Sequence, residues 1–192
     1  MDRLIAAVDV KAQPIGDLEA RLVWTEFSSQ IGGDALLKCY GWHRAPWTLR
    51  PGELAWAYRT EDDLVVGWGS LIKDPTAAVY WHASGVFPAF ARRGYRRAIR
   101  RHLCAEAFAR GAQAVSLAVL DTNPEHLMRC QREADEGGPW RLSGHLALPP
   151  PGQTVFTLML EDARRVVPSR DRACCCAHLW LPGLCPITHV SR

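Results

Sequence analysis

The segment from Val86 to Asn123 constrains the fold more than any other part of the chain. It sits in the run GVFPAFARRGYRRAIRRHL, residues 85–103. An apolar strand reaches Val86 and Phe87, and Pro88 interrupts it. Beyond the loop, Tyr95, Ile99, Leu103 and Ala107 recur every four residues, the spacing of one helix face. Gly111 fits the left-handed residue that ends such a helix. AVSLAVL, 114–120, is a near-continuous apolar run, as expected of a strand covered on both faces. A strand–helix–strand order of this length predicts a crossover between parallel strands.

The flanking elements extend this unit into a sheet. Residues 3–10 read as a first strand, Gly16 to Gln30 as a helix, and 34–44 as a short second helix. GELAWAYRT and LVVGWGSLI, joined through Glu61-Asp62-Asp63, form a hairpin signal. Residues 76–87 add a third strand to this meander. Thr122 with Glu125, or Asn123 before Pro124, caps a helix running to about Asp135. Gly137, Gly138 and Pro139 stop it. Strands follow at 140–148 and 154–160. The order β, α, α, β, β, β, α, β, α, β, β predicts an α/β domain over residues 1–162, with a mixed sheet flanked by helices. Residues 163–192 read as a Cys-, Arg- and Pro-rich tail with little order.

The loop before the 95–109 region has anion-binding chemistry. The first amides of a helix lack intrahelical acceptors, and the helix dipole favours negative charge there. Gly94 lets the backbone approach a phosphate or adopt positive φ. Arg92, Arg93, Arg96 and Arg97 surround the loop and first turn, and guanidinium groups fork onto phosphate oxygens. Six arginines within ten residues also suit a solvated helix face. They lie at the helix end that the dipole makes unfavourable for cations, which favours the anion.

The pattern resembles the GCN5-related N-acetyltransferase (GNAT) family. That family has a strand ending in Val-x-Pro, followed by an (Arg/Gln)-x-x-Gly-x-(Gly/Ala) loop opening a helix. Val86, Pro88 and Gly94 match it. Ala91 stands where Arg or Gln is usual, and Arg96 where the last small residue is usual. The match is best over residues 76–128. The resemblance implies a GNAT-like acyl-CoA N-acyltransferase fold with a mixed, mostly antiparallel sheet. It also implies acetyl-CoA as co-substrate and acetyl transfer to an amine, either a small molecule or a protein. By this resemblance Val86 pairs its backbone with the pantetheine arm. Arg92, Arg93, Gly94, Tyr95, Arg96 and Arg97 surround the pyrophosphate. Asn123 reaches the pantetheine, or serves only as a helix cap.

Acyl transfer needs an acceptor amine without its extra proton and a proton for the leaving thiolate. The family often places a tyrosine acid seven residues after its asparagine. Cys130 occupies that position here, as a proton donor or a small core residue. His82, in alternation with Tyr80, Ser84 and Val86, is the candidate base, because imidazole titrates near neutrality. A coenzyme A-binding relative without catalysis is the alternative function.

Charge and cysteines narrow the other classes. The net charge is +3, of which residues 163–192 carry +4, leaving −1 for the body. A nucleic-acid role therefore lacks a broad basic surface. No run approaches a membrane span. Seven cysteines, four within the last 19 residues, are not a secreted disulfide framework, so a cytoplasmic location is expected. The adjacent Cys174, Cys175 and Cys176 lack the usual gap of a zinc-ligand pair, and no metal site is expected.

Overall fold

The computed structural model describes residues 10–40, 47–136, 139–146 and 152–165. Seven strands make one sheet: β1 (Lys11–Pro14), β2 (Leu54–Arg59), β3 (Val65–Lys73), β4 (Val79–Val86), β5 (Ala114–Leu120), β6 (Trp140–Leu146) and β7 (Gln153–Met159). Their order across the sheet is β1-β2-β3-β4-β5-β7-β6. Every neighbouring pair is antiparallel except β4 and β5, which are parallel. The parallel pair is joined by α3 (Tyr95–Ala109), the crossover that the sequence predicts. The remaining helices are α1 (Asp17–Ile31), α2 (Gly33–Tyr40), α4 (Pro124–Asp135) and α5 (Leu160–Arg165), with a short 3-10 turn at Pro88–Phe90.

Two cores sandwich the sheet. On one face, Trp24 and Phe27 of α1 and Leu36 of α2 bury against Ala55, Ala57 and Trp68. Edge-on aromatic contacts fix these rings; Trp24 and Trp68 have centroids 5.3 Å apart at 80°. On the other face, Ile99, Leu103 and Phe108 of α3 pack on Tyr58, Leu71, Val115 and Leu117. Beneath α3 the sheet is bare: an added Cβ at Gly67 would lie 2.7 Å from Ile99, and one at Gly69 2.9 Å from Leu103. The two glycines of β3 thus set how closely α3 approaches the sheet.

Several element boundaries differ from the sequence reading. Most of the strand expected at 3–10 lies outside the described residues; the first described strand, β1, occupies Lys11–Pro14. Pro14 is tolerated because β1 is an edge strand and needs no donor on its open side. The second helix stops at Tyr40, and residues 41–46 lie outside the description. The expected boundary at 162/163 falls inside α5. Asp162 accepts from Arg141 of β6 at 2.6 Å, and Ala163 is buried in the core. The cysteine-rich tail beyond it is outside the described residues.

Candidate functional site

β4 and β5 pair at their N-terminal ends only. The partners are Val79 with Ala114, Tyr80 with Val115, and Trp81 with Ser116. Beyond them both strands continue, β4 to Val86 and β5 to Leu120, without pairing to each other. Each keeps its outer neighbour along its length. The sheet therefore opens as a wedge between its two parallel strands.

Strand alternation shows which backbone groups line this wedge. Asp74 N–H donates to Val79 O, and Phe87 N–H to Val66 O, both at 2.9 Å. These bonds turn the odd-numbered residues of β4 toward β3, so the N–H and C=O groups of Ser84 and Val86 face the wedge. On β5, Leu160 N–H donates to Gln113 O and Asp121 N–H to Gly152 O. The odd residues there face β7, and Ala118 and Leu120 face the wedge. Strand edges without a neighbouring strand inside a protein demand partners, and an extended chain bearing amides would supply them.

The wedge opens toward the start of α3. Gly94 caps that helix at φ 88° and ψ −11°, and Arg92 is also left-handed at φ 63°. Five successive amides, Arg92 to Arg96, find no acceptor among the described residues. Left-handed residues in such a loop turn consecutive N–H groups into one concavity, an anion nest. Positive φ at arginine costs roughly 1 kcal/mol, and strain of this kind concentrates at ligand clamps.

The arginines divide into two groups. Arg92, Arg93 and Arg97 are exposed around the nest, with Arg93 stacked over Phe90 at 5.7 Å. Arg96 is half-buried and forms no ion pair among the described residues. Burial lowers its guanidinium from the ordinary value, partly offset by Tyr40, while Arg100 and Arg129 lower it further. A half-buried cation among other cations is stabilised by an anionic ligand. Tyr95 turns its backbone to the loop and its side chain to the core. Its amide belongs to the nest, but its ring packs edge-on against Phe90, 5.9 Å away, and onto the core. A helix-start side chain on the apolar face is drawn inward, away from the phosphate side.

Asn123 caps α4, its side-chain oxygen accepting from His126 N–H at 3.3 Å. Its amide donors have no partner among the described residues. Cys130 lies on the buried face of α4 at 2% exposure, and burial pushes its thiol up. His82 points to the α4 side, beside Trp140 at 5.6 Å. Both of its ring nitrogens, and Nε2 of His126, are sealed from solvent without a hydrogen-bond partner. The His82 ring nitrogens and the Cys130 side chain are thus closed to solvent in this conformation.

The two imidazoles give the protein a predictable acid sensitivity. Burial pulls both down to about 3; nearby Arg100 adds to this at His82, and Arg96 and Arg100 at His126. In the unfolded chain an imidazole titrates near 6.5, so below that value the unfolded state binds more protons. Their stabilising contribution is complete above about 6.5 and is lost as pH falls toward about 3. We expect the urea midpoint to drop between about pH 7 and about pH 5, and His82→Phe to flatten that slope. A midpoint independent of pH would contradict the burial of neutral imidazoles.

The sequence reading missed a tyrosine. Tyr40, at the end of α2, donates from its hydroxyl to Ser84 O at 3.3 Å, a carbonyl that faces the wedge. Thr122, after β5, donates to Lys38 O at 3.0 Å. The last turn of α2 is thereby tied to both walls of the wedge. Helical periodicity near residue 40 carries no trace of these contacts, because their partners lie 44 and 84 residues away.

Among the described residues, no cluster of His, Cys, Asp or Glu could hold a metal ion, and no helix is long and apolar enough to cross a membrane. A mixed sheet splayed beside a glycine-capped helix, flanked by helices on both faces, defines the acyl-CoA N-acyltransferase fold. The model of the acetyltransferase (GNAT) family matches residues 20–127, and the chain belongs to that family of N-acetyltransferases. No curated protein is significantly similar in sequence. Among solved structures, spermidine N-acetyltransferase from Vibrio cholerae, in complex with CoA and spermine, is 10% identical. It covers 80% of this chain and 96% of its own, with a TM-score of 0.60. A GCN5-related N-acetyltransferase from Kribbella flavida is 18% identical, covering 79% and 98%, with a TM-score of 0.57. The ribosomal-protein-S18-alanine N-acetyltransferase from Escherichia coli is 12% identical, covering 79% and 94%, with a TM-score of 0.56. These likenesses concern the fold.

Proposed function

We propose that the chain transfers an acetyl group from acetyl-CoA to an amine. The observation that carries this reading is the β4–β5 wedge, whose inward-facing amides and carbonyls run to the five-amide nest at Gly94. The residues suit the co-substrate. Ser84 and Val86 offer backbone bonds to an extended amide-bearing arm. Gly94 and its neighbours offer donors to a pyrophosphate, with Arg92, Arg93 and Arg97 around it and Arg96 reaching inward. In this reading the amide donors of Asn123 serve the same ligand. When bound, acetyl-CoA supplies the activated acyl group; the chain's part is to hold it, exclude water and manage protons. In this reading His82 and Cys130 are the proton-handling candidates on the α4 side, once ligand entry opens their surroundings. The three described cysteines are free thiols, in keeping with the cytoplasmic location proposed here.

The second reading, binding of coenzyme A without catalysis, is favoured by a specific feature. The α4 position expected to supply an acid holds a buried cysteine. One experiment separates the two. Calorimetry with acetyl-CoA should give a saturable heat, and thiol release should follow with one member of a panel of polyamines, amino acids and peptide N-termini. Heat without turnover on the whole panel would leave only the binding relative. Absence of heat would remove both.

A further inference from the structure

Acyl transfer from a thioester leaves a thiolate that must be protonated, and the side chains considered for this so far are sealed. The phenol of Tyr40 is buried as well, but its hydroxyl meets a carbonyl that faces the wedge. Its ring is held by Trp24, Phe27 and Trp68, with centroids 5.7 to 5.8 Å away. Its hydroxyl stands on the wedge-facing carbonyl of Ser84, two residues before Val86. The bond between Lys38 and Thr122 anchors the same helical turn to the opposite wall. The hydroxyl thus stands at the β4 edge of the gap along which an acyl thioester arm would lie.

We propose that Tyr40 is the catalytic acid of this enzyme, delivering its phenolic proton to the sulfur of the departing coenzyme A. This rests on the wedge being the acyl-thioester site. In the balanced step, the amine nitrogen forms a C–N bond with the acyl carbon as the C–S bond breaks. The sulfur takes the C–S electron pair and the Tyr40 proton. The amine gives up one proton to water, and water returns one to the phenolate. The charged and titratable groups facing Tyr40 support the role. Arg96 of α3 favours the phenolate, whereas Cys39 of α2 opposes it. Burial raises the phenol above its ordinary value, so Tyr40 enters the step protonated. Arg96 is then a positioning residue with an electrostatic function, stabilising the phenolate that forms.

The test needs no knowledge of the acceptor. A hydroxyl donating to bound sulfur favours the thiolate, so it lowers the thiol pKa of bound coenzyme A. That pKa is read from thiolate ultraviolet absorbance across a pH series, with affinity measured in parallel by calorimetry for coenzyme A and its desulfo analogue. Tyr40→Phe should raise the bound thiol by about one unit, a tenfold change in the thiolate-to-thiol ratio. It should leave desulfo-coenzyme A affinity within about threefold. A fluorinated tyrosine at position 40, more acidic at the hydroxyl, should move the thiol in the opposite direction and guards against misfolding of the phenylalanine variant. If both variants titrate as the wild type does, Tyr40 only ties α2 to β4 and the proposal fails while the coenzyme A reading stands. If the wild type binds no coenzyme A, that reading fails first and takes the proposal with it.

Discussion

Gly94→Val should abolish measurable acetyl-CoA binding while leaving the protein folded. Gly94 sits at φ 88°, a conformation that a β-branched side chain strongly resists. Valine either pays roughly 1–3 kcal/mol to stay there or flips the loop to negative φ. Flipping turns the amides of Arg92 to Arg96 away from their common concavity. Each hydrogen bond from such a donor to a charged oxygen is worth about 1.5–3 kcal/mol. Losing two therefore costs about 3–6 kcal/mol, or roughly two to four decades in Kd. The fold should survive, because α3 is held by Ile99, Leu103 and Phe108, not by its first turn. Calorimetry and circular dichroism together decide it. A dissociation constant within about threefold of wild type would remove the nest from the binding site.

Gly85→Val should be the most destabilising single change on the β4 wall. Gly85 faces the aromatic core under α1. A Cβ there would lie 2.8 Å from Phe27 Cζ and 2.8 Å from Trp68 Cε2, and it would also overlap Trp68 Nε1. Both rings are almost fully buried and interlocked with Trp24, so neither has an open rotamer to enter. Overpacking of a well-filled core costs about 1–3 kcal/mol for added methylenes, and more when rigid rings cannot yield. Against a total stability of about 5–15 kcal/mol, loss of at least about 3 kcal/mol is expected. It reads out as a fall in urea midpoint with the slope unchanged. A midpoint like that of wild type would show that the Trp68–Phe27 packing adjusts freely. Because Gly85 lies between Ser84 and Val86, any surviving protein should also bind acetyl-CoA less tightly.

The contrast between these glycines shows what was legible in the sequence. The positive φ of Gly94 follows from local chemistry: a proline-broken strand, a short loop and a helix start. The need for glycine at position 85 does not. It comes from Trp68 and Phe27, brought there by a neighbouring strand and by a helix across the sheet. The strand–helix–strand crossover and the hairpin from β2 to β3 were readable, since periodicity and turn residues are short-range signals. β1 carries almost no sequence signal, because a four-residue edge strand containing proline has almost no period to detect. α5 spans the end of an expected strand and the start of the expected tail, because a six-residue helix is set by its packing on β7 and its Asp162–Arg141 bond. Cys130 was located by counting along α4, but only packing buried it.

The same division runs through the wedge. The Val86–Asn123 sequence by itself determined a parallel crossover, a glycine at the helix start and a surplus of arginines beside it. These rest on the backbone preferences of proline and glycine and on the spacing of apolar residues, which act within a few positions. Only the tertiary structure decided where the parallel pair separates, since divergence depends on twist and on the outer neighbours that each strand keeps. Only it brought Arg96 inward among other cations, and only it set the Tyr40 hydroxyl on Ser84. Those placements depend on contacts between chain-distant elements, and contacts of that kind leave no local period in a sequence.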